Sequence, residues 1–142
     1  MRCLGVDVGE KRVGLAISDP NGQVAVPLRT LHRTAPDGVI DEIAALAAEE
    51  QVAGIVVGLP LSLDGTVGPQ AESVQEFVRQ LLVVVDVPVT LWDERLSTVQ
   101  AQQLLRRDGP GSRASRKDKG RIDAMAATVI LQDYLDSRPR RS

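Results

Sequence analysis

The order of predicted elements points to an α/β protein on a mixed five-stranded sheet, three antiparallel strands first and parallel strands after, flanked by helices. Three observations predict it. The first 33 residues hold three apolar segments separated only by turn-length breaks, which suits antiparallel neighbours. Two later segments, AGIVVG and VPVTLW, are short and almost wholly apolar, the composition of strands buried on both faces. Between and after them lie stretches with helical periodicity, so strand and helix alternate from residue 37 onward.

Taken in order, residues 3–8 (CLGVDV) and 12–19 (RVGLAISD) read as a β-hairpin around a turn at 9–11. Residues 23–33 supply a third strand, and Pro27 inside it places that strand at a sheet edge. Residues 37–51 read as a helix with Ile40, Ile43, Ala44 and Ala47 on one face, and 53–58 as the fourth strand. A loop over 59–68 stops at Pro69, a favoured first helical residue. The helix after it carries Val74, Phe77, Val78, Leu81 and Leu82 as its apolar stripe. Residues 87–92 form the fifth strand. Ser97 to Gln100 has capping-box spacing and opens a short helix to about Arg107. Residues 108–120, rich in Gly, Ser and charge, are expected to be mobile. The last helix is predicted over 121–137 with Ile122, Met125, Ala126, Val129 and Ile130 as its buried face, and residues 138–142 form a basic tail.

At 142 residues, with 43% hydrophobic and 25% charged side chains, the chain fits one domain with a substantial core. No apolar run approaches the roughly 20 residues of a membrane span, and no signal peptide is visible, so no membrane partner and a cytoplasmic location are expected. Cys3, the single cysteine, reads as a buried core thiol. With one histidine and one cysteine, zinc sites and Ser-His or Cys-His triads lack parts. No Walker A or GxGxxG pattern occurs.

The net charge of −2 hides a strong asymmetry. Residues 37–94 hold eleven acids and one base, Arg79, whereas 106–121 hold seven bases (among them Arg113, Arg116 and Lys117) against Asp108 and Asp118. Such a clustered cationic stripe is the footprint of a polyanion site. Because only Phe77, Trp92 and Tyr134 are aromatic, base stacking is excluded as the main mode, and nucleic acid would be held by backbone and shape.

Three carboxylates in distant segments stand at element ends: Asp7 in GVDVG, Glu94 in WDERL and Asp123 in GRIDAM. Singly, each has an ordinary reading, as a turn residue, a solvated strand end and a first-turn helix acid. Together they suit a divalent-metal site, since converging carboxylates repel one another unless a cation meets them. Gly5 and Gly9 share a strand face with Asp7 and leave room there for a phosphate.

The segments LGVDVGEKRVGLAISD, VVGLPLSLDGTVG, LWDERLST and RIDAMAATVILQDYL, in this order, resemble the YqgF (RuvX) family over residues 1–137. That resemblance implies an RNase H-like fold and a metal-dependent nuclease, processing the 5′ end of pre-16S rRNA or resolving Holliday junctions. It implies that Asp7, Glu94 and Asp123 are the catalytic acids and hold Mg²⁺ or Mn²⁺. It also makes Lys11, Arg12 and Arg95 candidates for phosphate contact, with Arg113, Arg116 and Lys117 in the basic run. The partner is then an RNA precursor or branched DNA, and junction cleavage is expected of a symmetric homodimer. Many relatives in the wider fold use a fourth carboxylate. Here the position three before Asp123 is Gly120, and the nearest upstream acid is Asp118, so the number of ions stays open. Two other readings remain: a non-catalytic RNA-binding ribosome-assembly module, and an ATP-using phosphotransferase suggested by the DVG hairpin.

In such a fold, Asp7 and Glu94 begin two strands apart, about 9–10 Å. Glu94 is therefore expected to lean inward over Gly58, bringing the three acids within roughly 8 Å of one another.

Overall fold

Alternation within the first hairpin sets up two different sheet faces. Leu4, Val6 and Val8 of β1 (Cys3–Val8) point one way, and Cys3, Gly5 and Asp7 the other. In the computed structural model, which describes residues 1–34, 38–94 and 116–138 (with side chains of 116–123 outside the description), β1 pairs antiparallel with β2 (Arg12–Ser18). Strand β3 (Ala25–His32) pairs antiparallel with β2, while β4 (Gly54–Leu59) runs parallel to β1, and β5 (Val89–Asp93) parallel to β4. The sheet order is β3-β2-β1-β4-β5, the mixed five-stranded sheet that the element order predicts.

Pro27 lies in β3 at the edge of the sheet, as its missing N–H requires, and the β2–β3 register shifts beside its partner at Leu15/Ala16. The interior strand β4 is the short apolar run, with Ile55, Val56 and Val57 all buried.

Two helices cover one face. Helix α1 (Gly38–Glu49) buries Val39, Ile40, Ile43, Leu46 and Ala47, and α2 (Pro69–Val84), with Pro69 in its first turn, buries Ala71, Val74, Phe77, Val78 and Leu81. Leu82, predicted as part of that stripe, is half exposed, next to exposed Val83.

Among the described residues, helix α3 (Arg116–Ser137) covers the other face. It starts five residues before the predicted 121, so residues 116–120 belong to a helix rather than to a mobile loop. Arg116, Lys117 and Lys119 are good helix formers, and a helix already packed on a sheet propagates outward at small cost. Its buried face also differs. Ala124, Ala127, Val129, Ile130, Leu131 and Leu135 are buried, whereas Met125 and Ala126 are half-buried. The helix turns this way because Gly5 admits it closely: a Cβ on Gly5 would lie 2.8 Å from Leu131 Cβ and 3.0 Å from the Ala127 carbonyl oxygen. Gln132 ties α3 to the start of β3, its Oε1 accepting from Ala25 N at 2.9 Å and its Nε2 donating to the Gln23 carbonyl at 2.9 Å. Trp92 meets Tyr134 edge to face, with ring centroids 5.8 Å apart. Cys3 is buried, and burial pushes its thiol pKa up, in keeping with a core role. The predicted helix from Ser97 to Arg107 lies outside the described residues. No helix among those described is long and apolar enough to cross a membrane.

Candidate active site

Asp7 is carried on the α3 side of the sheet. Cys3 packs against that helix and Gly5 touches it, and strand alternation puts Asp7 on the same side, half-buried beyond them. Its cross-strand partner in β2 is Gly14. On the other side the Val6–Val57 pairing brings Gly58 of β4 alongside. Asp7 thus stands between two glycines, neither of which puts a side chain of its own beside it.

Glu94 directly follows β5. A Cβ built on Gly58 would sit 2.5 Å from Glu94 Oε1 and 2.9 Å from its Cγ, so the Glu94 side chain lies across Gly58. This is the inward lean expected from the strand spacing, and it closes the gap: the Glu94 and Asp7 carboxyls are hydrogen-bonded. The Glu94 pKa is pushed up to about 8, first by burial, then by the negative charge of Asp7, by the hydrogen bond to Asp7 and by the charge of Asp93. With its proton retained, Glu94 donates to the Asp7 carboxylate. A shared proton here is the signature of two acids brought together at a distance they cannot tolerate when both are ionised. Hard oxygen donors from separate strands on a glycine floor fit a divalent ion of the Mg²⁺ or Mn²⁺ type.

Asp123 is placed by its backbone. The sequence puts it in the first turn of a helix, but α3 begins at Arg116, so Asp123 is the eighth residue and its placement there has no helix-dipole explanation. One turn after it comes Ala127, against Gly5, and two turns after it Ile130, whose Cδ1 would lie 2.6 Å from a Cβ on Gly58. Helix α3 runs opposite to β1, for Arg138 at its far end is close enough to Cys3 to lower that thiol's pKa. Stepping back one turn from Ala127, about 6 Å, moves toward the end of β1, as does the step of about 6.6 Å from Gly5 to Asp7. The backbone of residue 123 therefore belongs to the same end of the sheet as Asp7 and Glu94. Its side chain is outside the description, as are those of Arg116 and Lys117 in the first turn of α3. Arg95 and Arg113 lie wholly outside the described residues. Among those described, no group of three His, Cys, Asp or Glu side chains is gathered as a metal donor set.

Lys11 is exposed in the β1–β2 turn. Arg12, two residues before the Gly14 that pairs with Asp7, is half-buried on Asp7's side of the sheet. Asp93 adds its charge to Glu94, a contribution invisible in a sequence where it reads only as a strand end. Arg33, which reaches the β1–β2 turn from the end of β3, carried no signal in the sequence.

A family model described as "RuvX: Holliday junction resolvase" matches residues 1–137. A Chloroflexus aggregans protein described as "Putative pre-16S rRNA nuclease" is 49% identical over 135 residues, covering 95% of this chain and 93% of its own length. A protein with the same description from Thermoanaerobacter pseudethanolicus is 44% identical over 141 residues, covering 99% and 100%. Among solved structures, T. thermophilus RuvC in complex with Holliday junction substrate superposes with a TM-score of 0.58 at 18% identity over 97% of this chain and 95% of that one. The Fowlpox virus resolvase with Holliday junction DNA gives 0.60 at 12% identity over 96% and 98%. At these identities the two structures establish the shared RNase H-like fold.

Proposed function

This chain belongs to the RuvX family, and we propose that it is a metal-dependent nuclease that hydrolyses phosphodiester bonds, with Asp7, Glu94 and Asp123 as the catalytic acids. The observation that carries this reading is the hydrogen-bonded Asp7–Glu94 pair, two acids from separate strands meeting over the bare Gly58. Asp7, Glu94 and Asp123 would hold a divalent cation, Mg²⁺ or Mn²⁺, whose positive charge would serve to activate a water and to offset charge on the cleaved phosphate. The protein's part is to hold the acids still. Asp7 is fixed by the ladder between Gly14 and, alongside, Gly58, and Glu94 by its packing across Gly58 and beside Ile130. To act as a ligand, Glu94 would have to release its proton to solvent. Lys11 and Arg12, at the turn beyond Asp7, would meet backbone phosphates, and Arg95 and the basic run of Arg113, Arg116 and Lys117 would add to that contact.

The substrate we favour is precursor 16S rRNA, since relatives at 44–49% identity are described by that activity. A symmetric homodimer acting on branched DNA is the alternative, matching the family description. A cleavage panel of four-way junction, duplex, single-stranded RNA and rRNA precursor separates them. Run beside it, Asp7→Asn is expected to fold normally and to lose at least about a hundredfold in rate; retained cleavage in a contaminant-free preparation rules the mechanism out. The departure at Gly120 favours one competing reading, a non-catalytic RNA-binding module. Its mark is binding that survives EDTA with no cleavage of any substrate under Mg²⁺ or Mn²⁺. Neutralising Arg113, Arg116 and Lys117 together is expected to weaken nucleic-acid binding and flatten its salt dependence by about 0.7–0.9 per lost phosphate contact. An unchanged slope makes that run solvated surface.

A further inference from the structure

The β1–β2 turn is braced from the side of the sheet opposite Asp7. The Arg33 Nη1 donates to the Gly9 carbonyl at 2.8 Å, and the guanidinium lies 5.7 Å from the centre of the Phe77 ring on α2. The Arg33 backbone N–H donates to the Lys11 carbonyl at 2.9 Å, carrying the β2–β3 ladder up to the turn itself. The turn has little slack, for Gly9 N donates to the Arg12 carbonyl at 2.9 Å, and a Cβ on Gly9 would lie 2.6 Å from that oxygen. One side chain thus joins the end of edge strand β3, the anchored core ring of α2 and the turn that begins two residues after Asp7. Arg33 itself is exposed, and Phe77, 4% exposed, gives its guanidinium a rigid platform.

We propose that Arg33 is a positioning residue for the nuclease centre, clamping the Gly9 turn so that Asp7 stays registered against Glu94. The proposal rests on Asp7 being a catalytic acid. It acts on placement and not on affinity for nucleic acid, and a misplacement of around an ångström is enough to cost up to a hundredfold in rate.

The test compares wild type, Arg33→Ala, Arg33→Lys and Asp7→Asn in the full chain. Arg33→Ala is expected to lower kcat about tenfold with KM within twofold, leave the salt slope of binding unchanged, and speed amide exchange over residues 8–12 while the core strands stay protected. Mn²⁺ titrated by calorimetry is expected to bind about threefold or more weakly to the same variant. Arg33→Lys, which keeps the charge and a donor, is expected to restore most of both. Unchanged exchange over 8–12 overturns the proposal. So does a loss confined to KM with a salt slope reduced by about 0.7–0.9, which makes Arg33 a direct phosphate contact. If wild type cleaves nothing, the nuclease reading fails, and the exchange and Mn²⁺ titration still decide whether Arg33 holds the turn.

Discussion

On the α1/α2 side of the sheet, β1 presents Leu4, Val6 and Val8; on the α3 side the same strand presents Cys3, Gly5 and Asp7. The contrast extends across the neighbouring strands. Val13, Leu15, Ile17, Ile55 and Val57 point into the first layer with Ile43, Val74, Phe77 and Leu81, while Ala16, Val56 and Gly58 face α3 with Ala127, Ile130 and Leu131. One face is filled with large, fully buried side chains. The other is made of small residues and glycines, so that a helix comes close to the strands there. The large-residue layer holds the fold, and the small-residue layer sets distances. A sheet whose strands alternate in this way separates stability from chemistry residue by residue.

The sharpest way to break that separation is a cavity on the large-residue side. Leu15→Ala, at a fully buried position, is expected to cost about 2–5 kcal/mol in urea unfolding, with the cleavage rate per folded molecule unchanged. A parallel loss of activity in the folded fraction would show the two layers to be coupled. On the other side, Gly58→Ala is expected to cost only about 1–3 kcal/mol, since the atoms it meets belong to the side chains of Glu94 and Ile130 and not to backbone. The rate is nevertheless expected to fall more than about tenfold, because the displaced atom is Glu94 Oε1. Full activity in Gly58→Ala would detach Glu94 from the chemistry.

The same contrast explains what could be read from the sequence. The large-residue layer announces itself: alternation in β1 and β2, the apolar run of β4, and Val74–Phe77–Val78–Leu81 in α2 all give strong periodic signals, and Pro27 marked its edge strand. The lean of Glu94 over Gly58 also followed from strand spacing and a missing side chain. The small-residue layer was harder. Helix α3 carries apolar residues around much of its circumference, so the predicted stripe of Ile122, Met125, Ala126, Val129 and Ile130 is only partly the buried one: Val129 and Ile130 are buried, but Ala124, Ala127, Leu131 and Leu135 complete the face, where the glycine at position 5 of a distant strand admits the helix. Its start at Arg116 was hidden by a polar, glycine-containing run whose helicity comes from the packed segment beyond it. Arg33 was illegible because its role depends on a carbonyl and a ring that only the fold brings near.

The mildest substitution probes the small-residue layer without altering its shape. In the folded chain Glu94 keeps its proton up to about 8, whereas in the unfolded chain it releases it near 4.5. Below about 4.5 both states are protonated and this stabilisation is fully present. Between there and about 8 the unfolded state has shed a proton that the folded state retains, so stability falls as pH rises, by at most about 1.4 kcal/mol per pH unit, and the loss is complete above the folded value. In metal-free protein, the difference in unfolding free energy between wild type and Glu94→Gln is therefore expected to shift against wild type across that window. Saturating Mg²⁺ or Mn²⁺ works in the opposite sense, because the ion takes over the role of the shared proton. At a hundredfold excess over Kd it is expected to add about 2.7 kcal/mol to wild type and much less to Glu94→Gln, with the larger gain toward pH 8, where ion and proton compete least. If wild type and Glu94→Gln keep a constant difference from pH 5 to 8, with and without the cation, then Glu94 is not under the repulsion that its contact with Asp7 implies, and the pair has no need of an ion.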